Sequence, residues 1–159
     1  MHKTAALDAA DARLMLALTR DPRATVLSLA GTVGLARNTV QARLAHYDSR
    51  GALATFEQRI EPAALGYPLT AFITTHVTQQ LLDELAQLLA DIPEVLEVFG
   101  LSGPTDLLIR VVARDADDLY RIAGKILATH GVERTETALV MRRLVDYRVT
   151  PLLERLAAT

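Results

Sequence analysis

The apolar residues of this chain change rhythm once, near Gly66, and that change limits what it can fold into. Before it, apolar positions recur every three to four residues, the spacing of one helix face. After it, alternating and helical segments take turns in a fixed order. Residues 69–77, LTAFITTHV, alternate as a strand. Residues 79–91 carry Leu81, Leu85, Leu88 and Leu89 at helical spacing. Residues 94–101 and 106–113 read as two strands joined by SGPT, a turn punctuated by Gly and Pro. The next segment opens on Asp115, a good N-cap, with Asp118 at the third helical position. Leu119, Ile122, Ala123 and Ile126 form its apolar stripe. Residues 132–145 read as a last strand, and a short helix follows Pro151.

The order over residues 68–147 is therefore βαββαβ. That order predicts a four-stranded antiparallel sheet with both helices on one face, the ferredoxin-like arrangement. The other face needs cover, and a second copy of the chain is the natural one. The sheet by itself says little about function.

Upstream, three helices are predicted. Asp8 caps the first and Asp11 sits at its third position, with Ala10, Leu14, Ala17 and Leu18 as the apolar stripe. Asp21-Pro22 stops it, because a residue before proline avoids the helical region. Residues 25–33 form the second, ended by Gly34, and residues 36–49 form the third. On a helical wheel Val40, Leu44 and Tyr47 face inward, while Asn38, Ala42, Ala45 and Ser49 face out, flanked by Arg37 and Gln41. The outer face is polar early and small later. A helix that enters the major groove needs both: donors and acceptors for base edges, and no bulk to hold the groove away. The same pattern also fits a solvated helix face. Arg43 lies nearer the inner side, where it pairs with a carboxylate such as Asp11 or holds a phosphate.

Charge adds to this. Residues 1–60 hold eight Lys/Arg against five Asp/Glu, and the remaining residues hold nine against fourteen. A basic head on an acidic body suits a polyanion-binding part joined to one that does not touch the polyanion. With no cysteine, disulfides and thiolate metal sites are excluded. The four histidines are not spaced as metal ligands, and no phosphate loop or nucleophile elbow occurs. His76 reads as a packed strand residue. No apolar run is long enough to span a membrane, and the start lacks a signal-peptide core, so a cytoplasmic location is expected.

With these segments in view, the chain resembles the Lrp/AsnC (feast/famine) transcriptional regulators. LDAADARLMLAL resembles the opening helix of that family. VLSLAGTVGLARNTVQARLAHYDSRGAL resembles its helix-turn-helix, including Val33-Gly34-Leu35, Arg43 and Gly51-x-Leu53. EPAALGYPLTAFI resembles its hinge and first sensor strand, IPEVLEVFGLSGPTDLLIRVVARD the next two strands, and GVERTETALVMRR the last. The likeness runs through residues 7–145 in order. Two positions depart: Ala36-Arg37 stands where the family often has Ser-Pro, and Pro104 stands where the 102–106 turn often has an acid.

The resemblance implies an α+β chain in four parts. These are a winged helix-turn-helix DNA-binding domain at 1–53, a hinge strand and linker at 54–67, a ligand-sensing and oligomerisation domain at 68–147, and a C-terminal helical tail at 148–159. It implies double-stranded DNA as partner, through Arg37, Asn38, Thr39, Gln41 and Arg43. It implies homodimers that assemble into tetramers or octamers. It implies no bound cofactor but a small-molecule effector, usually an amino acid, held between dimers. Ser102, Gly103, Thr105, Asp106, Thr135 and Thr137 are the matching effector positions. A carboxylate can take an ammonium group, and backbone N–H groups and hydroxyls can take a carboxylate. Two other readings stay open on the residues alone: an assembly module without a specific DNA site, and a small ferredoxin-like enzyme.

Overall fold

Asp8 fixes where the first helix begins. In the computed structural model, which describes residues 7–159, α1 spans Ala9–Arg20 and opens with a reciprocal capping box. The Asp11 N–H donates to Asp8 Oδ1 at 2.7 Å, and the Asp8 N–H donates to Asp11 Oδ2 at 2.9 Å. Two of the helix's four orphan donors are thus satisfied by side chains. Thr25 caps α2, Val26–Val33, through its side chain. α3 spans Arg37–Ser49.

The chain divides into two units, Met1–Gln58 with Val145–Thr159, and Arg59–Leu144. The terminal helix α6, Thr150–Ala157, is thus part of the helical unit. Its Leu153 is buried with Ala12, Leu14, Leu29, Val40 and Tyr47, and Leu156 and Ala157 pack beside them. Residues 148–159, expected as a tail, close the core that three short helices leave open.

No strand follows α3 before residue 69, so neither a wing nor the expected hinge strand forms. Residues 54–67 instead contain two 3₁₀ turns, Phe56–Arg59 and Pro62–Leu65, the second ended by Gly66 at φ 90°. A strand needs a neighbour for its ladder hydrogen bonds, and a single chain supplies none here.

The sheet unit has the predicted order. β1 (Leu69–Val77) is followed by α4 (Leu82–Ala90), β2 (Val95–Gly100), β3 (Leu107–Ala113), α5 (Ala116–Leu127) and β4 (Val132–Leu139). The strands lie in the order β2-β3-β1-β4, all neighbours antiparallel. Ala71, Ile73 and Val77 of β1 with Leu107, Ile109 and Val111 of β3 bury one face against Leu85 and Leu89 of α4 and Ile122 and Ile126 of α5. The other face carries Phe72, Thr74, His76, Leu108 and Arg110 half-exposed. β4 stops at Leu139 rather than near residue 145. Its last bond is Val140 N–H to Thr70 O, and Pro68 ends β1 just beyond, so the ladder has nothing left to pair with.

Arg114 and Arg121 both bind the Asp118 carboxylate at the start of α5, at 3.0 and 2.7 Å. Arg121 also reaches Glu94 at 2.5 Å, tying the entry of β2 to that helix. Hydrogen bonds from Arg114, side chain first and then backbone, hold the Asp118 carboxyl well below the usual carboxylate range.

Candidate functional site

The turn between α2 and α3 depends on Gly34. Its φ of 69° lies in the left-handed region, where a Cβ is costly, and its N–H donates to Ala30 O to close α2. The Leu35 N–H donates to the same carbonyl at 3.1 Å. Three residues thus turn the chain between two helices, the geometry of a helix-turn-helix.

α3 divides as the wheel predicts. Val40 and Tyr47 are buried and Leu44 is half-buried, while Arg37, Asn38, Thr39, Gln41, Ala42 and Ala45 are exposed. Four of the five residues expected to face DNA therefore lie on the outer surface. They offer a guanidinium, two carboxamides and a hydroxyl, groups that match purine edges and phosphates. An open depression beside them is lined by Asn38, Thr39, Ala42, Arg43 and His46 together with Asp8 and Asp11. His46 was not among the expected residues. Its signal was the spacing 38-42-46, which stacks three residues on one helix face.

Arg43 is the fifth, half-buried and tied to α1. Its Nη1 donates to both oxygens of Asp8 at 3.0 Å and also to Asp11 Oδ1. The Tyr47 hydroxyl donates to the same Asp11 oxygen at 2.5 Å. Burial pushes the Asp11 carboxyl up. Hydrogen bonds from the Tyr47 hydroxyl, the Asp8 backbone and Arg43 outweigh that and leave it below its ordinary value. Burial and then Asp11 push the Tyr47 hydroxyl well up, and the Asp11 hydrogen bond raises Arg43. Arg43 and Tyr47 brace α3 to the first turn of α1.

In the sheet unit the effector positions occupy two places. Ser102, Gly103 and Pro104 are exposed in the turn between β2 and β3, and Thr105 and Asp106 are half-buried at its end. The Leu101 N–H donates to Asp106 O at 2.8 Å and closes the turn. The Asp106 N–H donates to Thr75 O at 2.9 Å, its carboxylate accepts from the Val77 N–H at 3.0 Å, and His76 Nδ1 lies 3.9 Å from it. Thr135 and Thr137 lie opposite Thr75 and Ile73, on the helix-covered side of β4. β1 runs between β3 and β4, so Asp106 and the threonines are about two strand spacings apart, roughly 10 Å. Thr75, which pairs with Leu107 on one side and Thr135 on the other, has a buried hydroxyl oxygen with no hydrogen-bond partner among the described residues. Sequence reasoning missed both it and His76 as neighbours of this region. Among the described residues no cluster of three His, Asp or Glu side chains could hold a metal ion.

Two family models match this chain, the AsnC-type helix-turn-helix domain over residues 7–47 and the Lrp/AsnC ligand binding domain over residues 70–150. The chain belongs to the Lrp/AsnC family of transcriptional regulators. The HTH-type transcriptional regulator FL11 of Pyrococcus horikoshii is 30% identical, covering 86% of this chain and 90% of that one. The Mycobacterium tuberculosis leucine response regulatory protein LrpA is 29% identical with a TM-score of 0.73, over 88% of this chain and 96% of that one. Escherichia coli AsnC shares the fold, with a TM-score of 0.81 at 23% identity, over 92% and 99% of the two chains. This Lrp/AsnC regulator is a DNA-binding transcriptional regulator; the first match spans the helix-turn-helix and the second contains all four strands of the sheet unit. Among the described residues, no helix is long and apolar enough to cross a membrane.

Proposed function

We propose that this regulator reads DNA through the exposed face of α3 and that an amino acid bound at the sheet unit adjusts its affinity. The observation that carries the first part is the left-handed turn at Gly34 leading into a helix whose first two turns expose Arg37, Asn38, Thr39 and Gln41. Asn38 and Gln41 read adenine edges and Arg37 contacts guanine or phosphate, each bidentate contact giving about 1–3 kcal/mol of discrimination. Two heads of a homodimer meet successive major grooves about 34 Å apart, so the site is near-palindromic. The open face of the sheet, with Phe72, Phe99 and Leu108 around the Arg110–Glu97 pair at 2.9 Å, is the dimer surface.

For the second part, the ammonium group lies at Asp106. Exposed N–H groups of the 102–106 turn and the Thr135 and Thr137 hydroxyls, supplied by a neighbouring copy, take the carboxylate. The name of the leucine response relative supports this effector class. Dimers associate further into tetramers or octamers, and effector binding shifts that assembly or the head spacing. Coupling of this kind changes DNA affinity by about 1–3 kcal/mol. The protein acts by binding rather than by catalysis, in the cytoplasm where the DNA is.

The test is a band shift with the upstream DNA of its own gene across a salt series. A specific complex at moderate salt is expected, weakened in the double variant Asn38→Ala, Gln41→Ala, with oligomeric state unchanged. An unaltered base preference in that variant rejects the assignment of α3.

A further inference from the structure

The apolar residues Val40, Leu44 and Tyr47 seat the inner face of α3, and one polar cluster ties it sideways to α1. Only Val40 and Tyr47 are fully buried on it, and Ala36 gives it no side-chain cap. The cluster therefore adds directional bonds that fine-set its rotation. Arg43 and Tyr47 are four residues apart and stack on one face of α3, and both donate to Asp11. Arg43 also holds both Asp8 oxygens. Asp8 and Asp11 are themselves locked together by the capping box of α1. The fixed start of one helix thus grips the next at two levels along its length.

The magnitude matters. A helix with side chains is about 10–12 Å across, so turning it by roughly 20° moves its outer side-chain ends by about 2 Å. Hydrogen bonds to base edges tolerate a few tenths of an ångström. Arg43 commits its Nη1 to two carboxylates at the start of α1. Leaving them would strand Asp11, which is 9% exposed, without its cation.

We propose that Arg43 and Tyr47 are positioning residues for DNA recognition: through Asp11 and Asp8 they set the rotation of α3, and hence base discrimination, without touching DNA. This rests on the reading that α3 enters the groove.

The experiment uses the full chain, Tyr47→Phe and Arg43→Gln, against a specific duplex and a scrambled one over a salt series. Tyr47→Phe keeps the buried ring and removes only a hydroxyl that DNA cannot reach. The specific-to-scrambled affinity ratio is expected to fall on the order of tenfold in Tyr47→Phe, with scrambled affinity unchanged. A role in stability alone would lower both affinities together, and that result overturns the proposal. So does an unchanged ratio in Tyr47→Phe. For Arg43→Gln the slope of log affinity against log salt is expected to stay that of the unsubstituted chain. A slope smaller by about 0.9, the value of one lost phosphate contact, overturns the proposal while leaving the DNA-reading role of α3 standing. A chain without substitutions that prefers no duplex at any salt overturns both.

Discussion

Replacing Leu153 with alanine is expected to destabilise the helical unit by about 2–3 kcal/mol. The side chain is 8% exposed and lies among Ala12, Leu14, Leu29, Val40 and Tyr47. The substitution removes three buried carbons at about 0.8 kcal/mol each, about 2.4 kcal/mol in all. A cavity penalty adds to this, but α6 is a short terminal helix that can settle inward, so the total stays near the low end of the range of about 2–5 kcal/mol for such changes. The assay is hydrogen exchange, because it resolves the two units separately. Amides of α1 are expected to lose protection by roughly 30- to 150-fold, the factor that corresponds to about 2–3 kcal/mol, and amides of α5 are expected to keep theirs. Leu152→Ala is the control, since that side chain is 64% exposed. Protection in α1 that falls less than twofold in Leu153→Ala refutes the placement of α6 in this core, and with it the idea that the terminal segment completes the DNA-binding unit.

Three more outcomes are expected. Gly34→Ala meets no neighbour within 4 Å, so its cost is the left-handed conformation alone, about 1–2 kcal/mol, read as a lower melting point of the helical unit. Asp106→Asn should abolish the thermal shift produced by an amino-acid effector while leaving DNA binding without effector intact, measured by differential scanning fluorimetry and band shift. Asp118 has a depressed carboxyl, so its contribution to stability is complete above the unfolded value near pH 3.9 and is lost as pH falls through the folded value. Urea midpoints taken from about pH 4 downward should therefore fall more steeply in the unsubstituted chain than in Asp118→Asn.

Much of this was written in local pattern. Asp8, Thr25 and Asp115 cap the helices where short-range chemistry allows, because a cap needs only a neighbour three residues away. The βαββαβ order follows from periodicity, and α3 shows its inner and outer faces on a wheel. The inward lean of Arg43 was legible too, but its bond to Asp8 was not. The hinge strand and the far end of β4 differ from the expectation for one reason. Strand propensity is local, but a strand exists only where a partner edge is free.

By itself the sequence determined the two-part character of the chain, the turn at Gly34 and the polar face that follows it, since each rests on residues within one or two helical turns. Only the tertiary structure decided the rest. It brought Arg43 and Tyr47 to carboxylates 32 and 36 residues away. It folded α6 back into the core of the helical unit, and it set Asp106 and the two threonines on opposite sides of β1. The physical reason is common to all three. Each depends on which surfaces meet after the elements have formed, and no spacing along the chain encodes that meeting.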